Sequence, residues 1–167
     1  GDIPASGSCT VTVDVTATAT GVNTTGVLAT NEAPNSAAGG SDTLTVNYAA
    51  PSITKAFGAN PIAPGATSTV TFTLTNPNAA LLTGANFTDT YPATMVNTTP
   101  LVVGGTCANV THTAVAGGNT FNLTAGDIPA SGSCTVTVDV TATATGVNTT
   151  GVLATNEAPN SAAGGSD

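Results

Sequence analysis

Positive charge is almost missing from this sequence. There is one lysine and no arginine against nine acids, for a net charge of -8. Charged residues make up 6% of the chain, against roughly 25% in an ordinary globular protein. A chain with almost no cations cannot neutralise phosphates, which excludes nucleic acid as a partner. Tryptophan is absent, and the other aromatics are two Tyr and four Phe. No apolar run approaches the roughly 18 residues of a membrane helix, so membrane insertion is not expected. There is no initiator Met and no signal-like segment, and the chain is expected to be part of a longer mature protein. In place of charge there is threonine, at 35 of 167 residues. Hydrophobic residues reach 40% and alternate regularly, which argues against disorder.

An internal repeat reframes the length. Residues 1–42, GDIPASGSCT through SAAGGSD, recur unchanged at 126–167, a period of 125 residues. Two identical copies point to a tandem array that has duplicated recently or been homogenised. The frame also opens partway through what reads as a domain. A continuous fibre cut at an arbitrary point would look like this, and so would an arbitrary choice of fragment.

The dominant pattern has a period of two. Cys9, Val11, Val13, Val15, Ala17 and Ala19 alternate with Thr and Asp, which predicts a half-buried strand over 9–19 and its copy over 134–144. Further strands are predicted at Leu44/Val46/Tyr48, Ile53/Lys55/Phe57, Val70/Phe72/Leu74, Phe87/Asp89/Tyr91, Phe121/Leu123 and Val152/Ala154/Asn156. Turn clusters separate them at Ala63-Pro64-Gly65, Asn76-Pro77-Asn78, Gly104-Gly105, Gly117-Gly118-Asn119 and Pro129-Ala130-Ser131-Gly132. The expected fold is all-β, an Ig-like antiparallel β-sandwich repeating every 125 residues or so. Residues 1–50 then read as the C-terminal part of a preceding repeat. Residues 51–167 read as the next repeat, lacking its last strand.

Three cysteines are an odd number, but one period contains two, Cys107 and Cys134. Cys9 is the copy of Cys134. A Cys107–Cys134 disulfide is expected, implying an oxidising, extracellular setting. A pair of buried free thiols is the alternative.

Lys55 shares the parity of Ile53 and Phe57, on the apolar face of its strand. An isolated ammonium there is costly, so it should be paired or neutral. Asp89 lies between Phe87 and Tyr91 on an inward face, and Asn156 shares parity with Val152 and Ala154. These residue types match a known reaction. A buried neutral amine is nucleophilic, and a buried carboxylic acid can polarise an amide carbonyl. Attack by Lys55 on the Asn156 amide would release ammonia and leave an isopeptide crosslink. A Lys55–Asp89 salt bridge with Asn156 hydrogen-bonded nearby, or a Lys55 that snorkels to the surface, would satisfy the same pattern.

The order ITKAF, STVTFTLTNPN, NFTDTYP, GSCTVTVDVTA, GVLATNEA resembles the Thr-rich Ig-like repeats of bacterial surface proteins first catalogued as domain of unknown function eleven. In Ig-like domains of that general kind, and in pilin and adhesin domains of Gram-positive bacteria, a first-strand Lys can be joined to a late-strand Asn beside an acid. The resemblance implies Lys55 as the Lys, Asp89 as the assisting acid and Asn156 as the Asn. The tripeptide Asn156-Glu157-Ala158 departs from the usual small polar residue after the Asn. Glu157 is a substitute acid by chemistry, though its parity points to the other face.

Other signals carry less. Six Asn-x-Ser/Thr sequons occur, at Asn23, Asn86, Asn97, Asn109, Asn122 and Asn148, which a Thr- and Asn-rich chain produces by chance. His112 reads as a half-buried strand residue. No zinc cluster, calcium loop or phosphate loop is visible, and Asp42 is a weak candidate for calcium at a junction; no cofactor and no metal are expected. The expected function is therefore structural: a tandem extracellular fibre, stalk or cell-surface filament whose partners are copies of itself. An adhesin with a surface or glycan ligand is the second reading. A filament polymerised by strand donation is the third. Enzymatic turnover is not expected beyond single-turnover self-crosslinking.

Overall fold

The computed structural model describes residues 2–162 and 164–166. The chain forms two compact units, Gly1–Asn47 and Tyr48–Asp167. The described residues contain strands and no helix. In the first unit lie β1 (Gly21–Thr24) and β2 (Ser41–Leu44). In the second lie β3 (Ser52–Phe57), β4 (Thr67–Asn76), β5 (Phe87–Thr90), β6 (Met95–Asn97) and β7 (Val103–Gly105). They are followed by β8 (Ala108–His112), β9 (Thr120–Asp127), β10 (Gly132–Ala142) and β11 (Thr149–Thr150).

The second unit is an antiparallel β-sandwich. One sheet has the order β3-β4-β10-β6, with β7 also paired to β10; the other has the order β11-β5-β9-β8. The longest ladder joins β4 to β10, from Gly132 opposite Asn76 to Thr141 opposite Thr67. Along it Val70, Phe72 and Leu74 and, across from them, Cys134, Val136, Val138 and Val140 are buried, while the intervening Thr residues are half-buried or exposed. The pleat thus turns a simple alternation into one apolar face and one Thr face. Phe72, Phe87 and Phe121 form the centre of the core, with ring centroids 4.8, 5.6 and 6.0 Å apart. Leu82, Leu123, Ile128 and Leu153 close it.

The strand expected over 9–19 does not form, and this is a correction. Val11, Val13 and Val15 are 94%, 80% and 66% exposed, whereas their copies Val136, Val138 and Val140 in β10 are at most 1% exposed. The residues are identical, so propensity cannot account for the difference. In the second unit β4, β6 and β7 supply the other half of every ladder hydrogen bond. The first unit contains no such neighbour among its described residues. Short-range structure does repeat. Thr25 N donates to Gly40 O at 2.8 Å, as Thr150 N does to Gly165 O at 2.9 Å. Ser36 N donates to Leu28 O and Ser161 N to Leu153 O, both at 2.8 Å. Strand β2 ends at Leu44, short of the Tyr48 expected.

Gly104-Gly105 is a second correction: it is strand, not turn. Gly105 has φ +127°, and a Cβ there would lie 2.2 Å from the Thr135 carbonyl oxygen. Only a glycine lets this backbone lie so closely on β10. The other clusters do turn: Gly65 at φ +81° and Gly117 at φ +69° take the left-handed conformation that glycine permits.

Cys107 and Cys134 form a disulfide across a sequence separation of 27, while Cys9 is exposed and free. The bond points to an oxidising, non-cytoplasmic setting. No helix among the described residues is long and apolar enough to cross a membrane. Replacing both bridged cysteines with alanine should cost about 3–4 kcal/mol of stability, by the loop entropy returned to the unfolded chain. Denaturant unfolding measures this, and an unchanged midpoint would refute it.

Candidate functional site

Lys55 and Asp89 approach one another from opposite sheets. Lys55 on β3 stands opposite Phe72 of β4, and Asp89 on β5 stands opposite Phe121 of β9. The Phe72 and Phe121 rings stack at 5.6 Å with 16° between planes, so the two polar residues flank the aromatic centre of the core. Lys55 Nζ lies 3.3 Å from Asp89 Oδ1, with both side chains at 0% exposure.

The third member is Asn148, not Asn156. Asn148 is 0% exposed, and its backbone carbonyl accepts a hydrogen bond from Lys55 Nζ at 2.6 Å. Its side-chain Nδ2 donates to Asp89 Oδ2 at 2.7 Å. The Asp89 carboxylate therefore bridges the amine and the amide, one oxygen on each. Asn148 Oδ1 is buried with no hydrogen-bond partner. A lone buried carbonyl oxygen costs on the order of 1–3 kcal/mol, so this amide is held in place by its neighbours at some expense.

Asn156 is exposed, and its Nδ2 donates to Thr83 Oγ1 at 3.1 Å. Its backbone N donates to Thr83 O at 3.0 Å. Glu157 also binds Thr83, accepting from its backbone N at 2.8 Å and from its hydroxyl. Neither is brought to Lys55. The reason is a register slip. Thr150 is opposite Asp89 and Ala154 is opposite Asn86, so the steps from 150 to 154 are matched to the fewer steps from 89 to 86. One extra residue reverses the alternation, as a β-bulge does. Val152 is consequently 47% exposed and Leu153 fully buried, the inverse of the expected Val152/Ala154/Asn156 face. The signal for Asn148 lies one rung earlier: Asn148 and Thr150 share a parity and both are buried.

Tyr91 extends the polar cluster. Its hydroxyl donates to Asn97 Oδ1 at 2.8 Å, and Asn97 Nδ2 donates to the Val115 and Thr120 carbonyls. Burial first, and the Asp89 charge second, push the Tyr91 phenol far above its ordinary value of 10.0. His112 lies on β8 and stacks on Phe121, with centroids 5.8 Å apart. Among the sequons, Asn97 and Asn148 are buried, whereas Asn23, Asn86 and Asn109 are exposed. No group of three or more His, Cys, Asp or Glu that could hold a metal occurs among the described residues.

Residues 51–165 match the family described as a domain of unknown function, DUF7933. No curated protein matches the chain.

The Tyr91 phenol gives a signed pH dependence. Its proton is retained on folding, so the stabilisation is complete below the unfolded value of 10.0 and is lost as pH rises past it. Unfolding midpoints measured at increasing alkaline pH should fall in the native protein and fall less steeply in Tyr91→Phe. Parallel curves would refute the assignment. At neutral pH that substitution should cost about 1 kcal/mol, because the Asn97 acceptor loses its donor.

Proposed function

The chain belongs to the DUF7933 family, and we propose that its repeat is a structural extracellular module that crosslinks itself through Lys55 and Asn148. The observation that carries this reading is the Asp89 carboxylate between amine and amide, at 3.3 and 2.7 Å, inside a core that excludes water. Transfer of a proton from the Lys55 ammonium to Asp89 leaves a neutral amine beside a carboxylic acid. The amine nitrogen attacks Asn148 Cγ. With the amide turned about its Cβ–Cγ bond, the acid hydrogen-bonds Oδ1 as charge develops there. As the new bond forms Nζ gives up its second proton, the C–Nδ2 bond breaks, and Nδ2 takes both protons by way of Asp89 and departs as ammonium. One amide bond replaces another, and Asp89 ends as it began. Burial of all three groups supplies the orientation that makes so slow a reaction feasible.

The crosslink would tie β3, close to the start of the second unit, to the residue preceding β11, close to its end. Tension between the ends would then run through covalent bonds rather than through a hydrogen-bonded ladder. The Cys107–Cys134 bridge adds a second tie. A low-charge Thr surface, an unchanged 42-residue copy and an oxidising compartment all suit a fibre, stalk or surface filament built of such repeats. The resemblance to Thr-rich surface repeats supports the same reading. Copies of the chain are the partners it implies.

Intact mass of the denatured, unreduced protein tests the chemistry. Measured against the sequence mass less the two hydrogens of the Cys107–Cys134 bridge, the native chain should be lighter by one ammonia. Lys55→Ala, Asp89→Ala and Asn148→Ala should each show that disulfide-corrected mass in full, and Asn156→Ala should still show the deficit. Full mass in the native chain means a plain buried ion pair, and a deficit abolished by Asn156→Ala would return the crosslink to Asn156.

A further inference from the structure

The buried polar side chains of the second unit nearly all find partners. Ser68 bonds the Ala59 backbone, Asn76 donates to the carbonyls of Ala80, Ile128 and Pro129, and Ser161 accepts from Leu153 N. Lys55, Asp89 and Asn148 bond one another, and Asn97 bonds Tyr91. Among the described buried polar residues, Thr150 is the one whose side chain makes no hydrogen bond: it is 2% exposed, and its Oγ1 has no partner. Folded proteins seldom keep such a hydroxyl without a use, since valine has nearly the same shape and none of the desolvation cost.

The repeat shows that this hydroxyl has given up a local partner. Thr25 is the copy of Thr150, and Gly40 is the copy of Gly165. Thr25 Oγ1 accepts from Gly40 N at 2.9 Å and donates to Gly40 O at 3.2 Å. In the second unit the backbone bond is kept, from Thr150 N to Gly165 O at 2.9 Å, but the hydroxyl bonds are not. The same side chain, with the same glycine beside it, is directed elsewhere by the sandwich.

Register says where. Thr150 is opposite Asp89 in the β11–β5 pair, and directly opposite residues share a face. Asp89 meets Lys55 on that face. Asn148, two residues before Thr150, lies on it too, with Oδ1 buried and likewise unpartnered. A hydroxyl and an amide oxygen, both without partners, thus stand beside the carboxylate that holds the amide nitrogen.

Attack by Lys55 needs the Asn148 amide turned, so that Oδ1 rather than Nδ2 meets the acid. Turning it sends Nδ2 to the side that Oδ1 now occupies, where an acceptor is needed. We infer that Thr150 is a positioning residue for the crosslink: its Oγ1 accepts from the turned Nδ2 while Oδ1 accepts from protonated Asp89. One movement gives both orphaned atoms a partner. The hydroxyl therefore stabilises the reactive amide and contributes nothing to the resting one, and only such a difference accelerates a step. Thr150 transfers no proton and ends unchanged. The role rests on the Lys55–Asn148 crosslink proposed for this repeat.

The test follows the full chain made by cell-free synthesis under oxidising conditions, quenched in denaturant at intervals, with intact mass giving the rate at which the ammonia deficit appears. Thr150→Val should react about tenfold more slowly than the native chain, the scale of one hydrogen bond lost in the activated state. Thr150→Ser should keep a rate close to the native one, although it loses a buried methyl and lowers the unfolding midpoint. A merely structural role gives the opposite order, because valine fills the site and serine does not. Equal rates for the native and valine chains, or rates ranked by unfolding midpoint, overturn the inference and leave the crosslink standing. No deficit in the native chain at any time overturns the crosslink, and this role with it. Protease resistance of the same samples reports folding. If Thr150→Val is not resistant, Thr150→Ala against Thr150→Ser makes the same comparison, since those two differ by the hydroxyl alone.

Discussion

A β-strand is half a structure, because its N–H and C=O groups need a second chain segment to receive them. The rest of this molecule depends on that constraint. The same residues, Cys-Thr-Val-Thr-Val-Asp-Val-Thr-Ala, form the central strand β10 in one place and an exposed, irregular stretch in the other. Where β4 lies alongside, three valines are removed from water and the Thr hydroxyls are left on the outer face. Where it does not, intrinsic preference for extended backbone is insufficient. Contacts spanning a few residues behave differently: the 28–36 and 153–161 hydrogen bonds match, because both partners travel together in sequence.

The polar centre obeys a similar logic across the sandwich rather than along a sheet. One ammonium inside an apolar layer must find a counter-charge, and Asp89 is delivered to it by the facing sheet. The carboxylate then has an oxygen left, which takes the amide of Asn148. Each group is there because the previous one could not be buried alone. The result is an alignment of amine, acid and amide that ordinary electrostatic necessity assembles.

Much of this is legible in the amino-acid sequence. Ile53/Lys55/Phe57, Val70/Phe72/Leu74 and Phe87/Asp89/Tyr91 alternate cleanly because their strands are regular, so parity puts Lys55 and Asp89 on inward faces. The pairing of Cys107 with Cys134 follows from counting cysteines per period. Parity fails after Thr150, where one additional residue is accommodated against β5. That bulge belongs to the pairing of two distant segments, and nothing local in Gly151-Val152-Leu153 announces it. Asn148 is visible only as a sequon, and Asn156 stands in the place that a continuous alternation would give the amide. Gly104-Gly105 misleads for the opposite reason, since residues that favour turns also permit the closest approach of two backbones.

Asn148 carries two signals on a single nitrogen. Its Asn-Thr-Thr context is an acceptor for glycosylation, and its Nδ2 lies fully enclosed against Asp89. A sugar needs that nitrogen exposed, and the sandwich leaves no room for one. Folding is therefore a deadline for this residue: modification must come before the sheets close or not at all, and a chain modified early would be unable to bring Asn148 to Lys55. In a secretory compartment that glycosylates, the speed of closure would decide which molecules mature correctly.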